Sequence, residues 1–235
     1  MSTASFHDIA QLRFWNEDEL EHRDRAQDAI VSCVRRTLSD INRAWGFRRL
    51  EGPQLTPRDF LSDEYSDDDI WTTPTEVAER QMVLRAETTA STYAFVRQNF
   101  SHKKLRLPAC FWQVGKSFRR ERHASASKLR FFEFTQLEMQ CLYSVETKAD
   151  YRARLLPELA DTIAWLTRSE VRVIDSDRVP AYAHSTKDIE IKLAGKEWRE
   201  MASVSIRKDF AEDILNLEVA VGLDRVVAAH TARPR

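Results

Sequence analysis

FRRERHASASKLRFFEF, residues Phe118 to Phe134, is the stretch that decides how this chain reads. It opens on Phe-Arg-Xaa-Glu, runs through a small, polar, basic loop, and closes on Arg130-Phe131-Phe132-Glu133-Phe134. The pattern predicts two antiparallel strands joined by a loop. Such a hairpin can hold Arg119, Arg130, Glu121 and Phe134 around one nucleotide. Arginines neutralise phosphate charge, a carboxylate accepts from an adenine amine, and a ring stacks on the base. A charged hairpin with alternating aromatics suits a solvated sheet edge equally well. The other segments of the chain decide between the two.

Composition narrows the classes. At 235 residues with 43% hydrophobic, the chain is long enough for one large globular domain. A formal net charge of -1 leaves no global field to pull it onto nucleic acid, so any such contact needs a local basic patch. Cys33, Cys110 and Cys141 are widely separated and form neither a zinc spacing nor a disulfide framework. A reducing, cytoplasmic compartment is the expectation. No apolar run approaches about 18 residues, so no membrane span is expected. The first residues, MSTASFHDIAQL, lack the apolar core of a signal peptide.

Residues 17–45 predict a long helix, because Ile30, Cys33, Val34, Leu38, Ile41 and Trp45 recur at spacings of three and four. Gly46 is the expected stop, followed by a short strand closing on Pro53. Asp63 to Asp69 reads as an acidic surface loop. Met82 to Phe95 reads as a short strand and then a helical stretch. Residues 150–168 predict a second amphipathic helix with Leu155, Leu159, Ile163 and Leu166 on one face, and Pro157 in its first turn or at a kink. Glu170 to Ile174 and Asp188 to Leu193 alternate as strands do, with Ala194-Gly195-Lys196 as a hairpin turn.

With these elements in order, the chain resembles the catalytic domain of the class II aminoacyl-tRNA synthetases. The Phe118–Phe134 stretch looks like motif 2 (about 111–143). The long helix and strand ending in Pro53 look like motif 1 (about 26–57), and EVAVGLDRVV, Glu218 to Val227, looks like motif 3 (about 218–230). Leu84-Arg85-Ala86-Glu87-Thr88 is similar to the Leu-Arg-Pro-Glu-Thr loop of glycyl-type enzymes, with alanine for proline. EMASVSIRKDF, Glu200 to Phe210, resembles a further subclass IIa segment. The resemblance spans about residues 26 to 229, is closest to glycyl-tRNA synthetases, and implies an α+β fold: a single domain, residues 1–235, with an antiparallel sheet flanked by helices.

The resemblance also implies roles. Arg119 would hold the α-phosphate of ATP and the amino-acid carboxylate, Glu121 the adenine amine, and Arg130 the γ-phosphate. Phe134 and Arg225 would sandwich the adenine, so Arg119 and Arg225 are the catalytic candidates. Glu87, Glu138 and Glu200 would surround the substrate ammonium, with Ser203 beside them where glycyl enzymes carry glycine. Glu218 would bind magnesium, although the same position suits a salt bridge to Arg207 equally well. The family's Glu-Pro-Ser is Glu218-Val219-Ala220 here, so a serine that helps select glycine is missing. The expected activity is ATP- and magnesium-dependent formation of an aminoacyl-adenylate from glycine or another small amino acid.

The chain ends ten residues after Arg225. That predicts a stand-alone catalytic domain with no anticodon-binding domain, passing its aminoacyl group to a carrier protein, a modified nucleic acid or a tRNA acceptor stem. A homodimer through the motif 1 region would cover the Ile30/Val34/Leu38/Ile41 stripe. The alternative is a non-catalytic, synthetase-like accessory protein that binds nucleic acid or a protein partner. The retained arginines favour the enzyme.

Overall fold

The computed structural model describes residues 15–61, 65–72, 81–100, 105–121, 128–177, 179, 182–193 and 197–231. The expected hairpin turn at 194–196, the first part of the acidic loop and most of the motif 2 loop (122–127) lie outside the described residues.

Helix α1 (Glu17–Ile41) starts from a capping box: Asn16 Oδ1 accepts from the Glu19 amide at 2.9 Å, and the Glu19 carboxylate accepts from the Asn16 amide at 3.1 Å. Its acidic first turn, Glu17, Asp18 and Glu19, suits the positive end of the helix dipole. The helix stops at Ile41, short of the expected Gly46. Asn42 is the reason, since its side chain accepts from the Ala44 amide at 2.9 Å and offers the backbone a turn in place of another helical residue.

Strand β1 (Gly46–Arg49) pairs in parallel with β5 (Ala109–Phe118), and it ends before Pro53. β2 (Leu55–Pro57), β3 (Trp71–Thr72) and β4 (Met82–Leu84) form a small antiparallel sheet in the order β2-β4-β3. Helix α2 (Thr89–Asn99) follows it. β5 and β6 (Glu133–Ser144) are the two strands of the quoted hairpin, paired antiparallel from Ala109/Leu142 to Phe118/Glu133. Helix α3 (Tyr151–Thr167) carries Pro157 in its second turn, where the Ala153 carbonyl loses its helical donor.

β7 (Val171–Asp175), β8 (Ala183–Lys192), β9 (Trp198–Ala211), β10 (Ile214–Gly222) and α4 (Leu223–Thr231) complete the chain. The large sheet runs β1-β5-β6-β10-β9-β8-β7, and every neighbouring pair except β1/β5 is antiparallel. This is the expected α+β architecture.

Strand alternation gives the sheet two unlike faces. Cys110, Trp112, Leu137, Met139, Cys141, Leu217, Val219, Val221, Ile189 and Ile191 point to one side and pack with α1, α3 and α4 into the main core. The Ile30, Val34 and Leu38 stripe of α1 is fully buried in that core. Each such side chain contributes roughly 1.5–3 kcal/mol of burial. The stripe is thus covered by the chain's own sheet and helices, and it supplies no reason for a dimer. Cys110 and Cys141, far apart in sequence, are register partners with sulfurs 3.1 Å apart and both thiols free. The opposite face carries Gln113, Gln136, Glu138, Gln140, Asn216, Glu218, Ser203, Ser205, Thr186 and Asp188. Polar residues in the middle of long strands mark that face as a site.

Candidate active site

A cavity of about 500 Å³ opens on the polar face, lined by β6, β8, β9, β10, the start of α4 and the loop after β4. All ten residues singled out from the sequence line it: Arg119, Glu121, Arg130, Phe134, Arg225, Glu87, Glu138, Glu200, Ser203 and Glu218.

Arg119 leaves the end of β5. Its backbone amide donates to the Phe132 carbonyl at 2.8 Å, which extends the hairpin past the last paired residues. Its Nε donates to the Ala86 carbonyl at 3.1 Å and Nη2 to the Tyr65 hydroxyl at 3.1 Å. The guanidinium lies 5.3 Å from the centre of the Phe134 ring, a cation–π contact that was not expected. Burial works against the charge of Arg119, but Tyr65, Glu87, Glu200 and Glu138 outweigh it and hold the proton above the ordinary arginine value. Glu121 and Arg130 form an ion pair across the hairpin at 3.3 Å.

Arg225 sits in the first turn of α4. Its Nε donates to the Leu129 carbonyl at 3.0 Å and Nη1 to the Glu200 carbonyl at 3.2 Å. Leu129 is buried and takes a left-handed backbone (φ 53°), a cost that aims its carbonyl at Arg225. Gly222 makes room for the arginine stem, because a Cβ there would lie 3.2 Å from Arg225 Cδ.

Arg85 anchors the site from behind. Its buried guanidinium donates to the carbonyls of Lys116 at 2.8 Å, Gly52 at 2.8 Å and Pro53 at 3.1 Å. It therefore ties the segment after β1 to the hairpin. A Cβ on Gly115 would stand 2.1 Å from Arg85 Nη2, so a larger residue there would push the guanidinium off the carbonyls that hold it.

The other end of the cavity is acidic. Glu87 accepts from the Tyr65 hydroxyl at 3.0 Å. Glu138 takes Thr88 and Thr89 hydroxyls on Oε2 and the Gln136 amide on Oε1 at 2.5 Å. Glu218 Oε2 accepts from Arg207 Nη1 at 2.6 Å, Thr89 at 3.0 Å and Gln140 at 3.1 Å. The Thr89 hydroxyl lies within bonding distance of both carboxylates and has one proton to give. Burial, then the charges of Glu138 and Glu218, push Glu87 up to about 8. Burial and Glu218 raise Glu138 as well.

Two expectations change here. Glu200 does not join the buried trio. A bulge between β8 and β9, where Ile189 faces Ala202 and Glu190 faces Glu200, inserts Met201 and turns Glu200 onto the cavity face. There it is exposed at the rim, 3.7 Å from Arg225. The third buried carboxylate is Glu218, and the salt bridge to Arg207 is the reading its geometry favours. Arg207 is itself buried, held by Asp209 at 2.6 Å and stacked 3.7 Å from the centre of the Tyr182 ring.

A magnesium ion fits poorly on Glu218, because Oε2 already takes a guanidinium and two neutral donors and the Arg207 charge at 2.6 Å repels a second cation on the same carboxylate. Among the described residues no group of three or more His, Cys, Asp or Glu side chains is placed to hold a metal ion. Tyr65, Thr88, Thr89, Gln136, Thr186 and Asp188 were not singled out from the sequence. For Thr186 and Asp188 the signal was present: polar residues alternating with Ile189 and Ile191 along a buried strand.

Residues 71–232 match the family described as tRNA synthetase class II core domain (G, H, P, S and T). A glycine–tRNA ligase of Staphylococcus aureus is 26% identical over 140 residues, covering 58% of this chain and 30% of that protein. The prolyl-tRNA synthetase of Cryptosporidium parvum, solved with halofuginone and AMPPNP, superposes with a TM-score of 0.73 at 14% identity, over 96% of this chain and 48% of that one. The cytoplasmic serine-tRNA ligase of Naegleria fowleri, solved with AMP, also gives 0.73, at 15% identity, over 97% and 52%. The chain therefore spans less than a third of the curated relative and about half of these two structures.

Proposed function

Because this chain belongs to the class II tRNA synthetase core family, we propose that it activates a small amino acid by forming an aminoacyl-adenylate from ATP. The observation that carries this reading is the two-ended cavity: guanidinium groups at one end and buried carboxylates at the other, within one space of about 500 Å³. A substrate with a carboxylate and an ammonium matches those ends in one orientation.

In this reading an amino-acid carboxylate oxygen attacks the α-phosphorus of ATP, and pyrophosphate leaves. The nucleophile is already ionised at neutral pH, so the step calls for alignment and stabilisation of phosphate charge rather than a strong base. Arg119 links the basic end to the acidic one, joined to Glu87 through Tyr65 and stacked on Phe134 through its guanidinium. It would hold the α-phosphate and the substrate carboxylate together. Phe134 and Arg225 would hold the adenine, Glu121 its amine, and Arg130 the γ-phosphate. Glu87 and Glu138 would receive the ammonium. Titratable groups crowded this way commonly mark sites that bind or move charge.

The similarity to a glycine–tRNA ligase supports a small substrate, and the neighbours solved with AMPPNP and AMP support adenine-nucleotide binding. The acyl group would then pass to an acceptor, either tRNA or a carrier that presents a hydroxyl or amine. The test is ATP–pyrophosphate exchange across the amino acids, followed by incubation of the labelled product with total tRNA. Exchange dependent on one amino acid supports the reading. No exchange with any amino acid overturns it in favour of a binding protein.

A further inference from the structure

The floor of the cavity extends past the carboxylate trio toward β8. One row of register partners crosses it: Glu138 on β6, Ala220 on β10, Ser203 on β9 and Asp188 on β8. Neighbouring strands lie about 4.8 Å apart, so the Cα atoms of Glu138 and Asp188 stand roughly 14 Å apart. Between them only a methyl group and a hydroxymethyl group rise from the sheet. In the next row the Thr186 and Ser205 hydroxyls bond to each other at 2.9 Å and keep low. The ammonium end of the site therefore opens sideways into a short polar trough, and Asp188 closes it.

Asp188 is 8% exposed and lines the cavity. It accepts a hydrogen bond from the Ser176 hydroxyl, and among the described residues the charges that act on it most strongly, Glu200, Asp177 and Glu190, are all acidic. Arg207, the buried arginine of this face, is committed to Glu218 and Asp209. A buried carboxylate among like charges is costly unless a cation meets it. Glycine, held by its ammonium and carboxylate, would leave the trough unfilled and Asp188 unmatched.

We propose that Asp188 is a specificity-determining residue that binds a cationic nitrogen on the substrate's side chain, so that the cavity takes a short diamino acid in preference to glycine. The inference rests on the adenylate-forming reading and deepens it. Two charge-assisted hydrogen bonds of about 2.8 Å each, one at each nitrogen, and a side chain of two or three methylene groups reach roughly 11–12 Å, so a slight lean of the Glu138 and Asp188 side chains toward each other would close the roughly 14 Å between their Cα atoms. Burial raises the Asp188 carboxyl to about 6, which leaves it largely ionised at neutral pH.

The experiment is pyrophosphate exchange at pH 7.5 (about one and a half units above the raised Asp188 value) with glycine, alanine, serine, 2,4-diaminobutyrate, ornithine and lysine. It is run on the unaltered chain and on Asp188→Asn and Asp188→Ala, with thermal melting to check folding. We expect kcat/KM for 2,4-diaminobutyrate or ornithine to exceed that for glycine by about tenfold or more. That ratio should fall about tenfold in both variants, mainly through KM, as loss of one charged hydrogen bond implies. Preference for glycine, alanine or serine, or a ratio that neither variant moves, overturns the assignment while the adenylate reading stands. Exchange with none of the six, and with no other amino acid, overturns the adenylate reading and this inference with it. If Asp188→Ala fails to fold, the near-isosteric Asp188→Asn still decides.

Discussion

At one end of the cavity the guanidinium groups of Arg119 and Arg225 are half-buried and rest on backbone carbonyls; at the other, Glu87, Glu138 and Glu218 are buried and surrounded by hydroxyls, amides and one arginine. A guanidinium has five donors, so it can spend one or two on fixed carbonyls and keep the rest for a ligand. A buried carboxylate must be met by donors or by a proton. The first end is thus preorganised for an anion without neutralising itself. The second is internally satisfied and shares protons until a cation arrives.

The largest effect should come from breaking the acidic end from within. Arg207→Met removes the partner that holds Glu218 at 2.6 Å and leaves a buried charge uncompensated. We expect a loss of about 3–5 kcal/mol of stability, read from chemical denaturation. A loss under about 1 kcal/mol would show that the Arg207–Glu218 pair does not hold this end of the cavity together.

Arg119→Ala tests the basic end. It should lower pyrophosphate exchange by about 10²–10³-fold or more, since the arginine acts on charge that grows in the transition state. Near-normal exchange would remove Arg119 from its proposed role. Melting should change much less than for Arg207→Met, because Arg119 is only half-buried and its bonds are to neutral groups.

The two ends should also respond differently to pH. Glu87 is raised to about 8, so it is protonated below that value and ionised above it. Ammonium binding favours the ionised form. The amino-acid KM should therefore fall as pH rises through about 8, while the ATP KM, set by arginines, should stay level. The same shift has a stability cost. The folded chain binds a proton that the unfolded chain has released, so Glu87's contribution to stability is present below about 4.5, its ordinary value, and is lost as pH rises through about 8. An amino-acid KM that is flat between pH 6 and 9 would show that Glu87 does not meet the ammonium.

The smallest effect belongs to the exposed counterpart of the Arg207–Glu218 pair. Glu121 and Arg130 pair at 3.3 Å, but Arg130 is 53% exposed. Glu121→Gln should cost no more than about 1 kcal/mol of stability. Any loss of exchange in this variant would then report on the nucleotide rather than on the fold.

Much of this was legible before the structure. The long α1 helix and the alternation along β7 and the end of β8 each carry a local period that a sequence displays directly, and the Phe118–Phe134 stretch shows its order of arginines, glutamate and aromatic rings. The cavity candidates were legible for a different reason: the resemblance to the synthetase motifs pointed to them residue by residue. Glu200 was misread as a member of the buried trio. The bulge at Met201 puts it on the cavity face, but near the start of β9, at the rim beside Arg225, and that place depends on where β9 lies against α4, which no local pattern displays. The helix stop differs because Asn42 closes the helix with a side-chain bond four residues before the expected stop, Gly46.

What the sequence determined by itself was the set of elements and the kind of chemistry: strands that are apolar on one face and polar on the other, arginines on a hairpin, and glutamates spaced along its continuation. These depend on nearest neighbours and on periods of two and 3.6, which any window of the chain contains. Partnership came only with the assembled fold. It set Glu218 against Arg207, Thr89 between two carboxylates, Cys110 beside Cys141, the α1 stripe under the chain's own sheet, and Asp188 at the end of a trough floored by Ser203 and Ala220. Each pairing joins residues from separate elements, and its energy depends on distance, burial and the local dielectric. Those quantities exist only once the strands are in register.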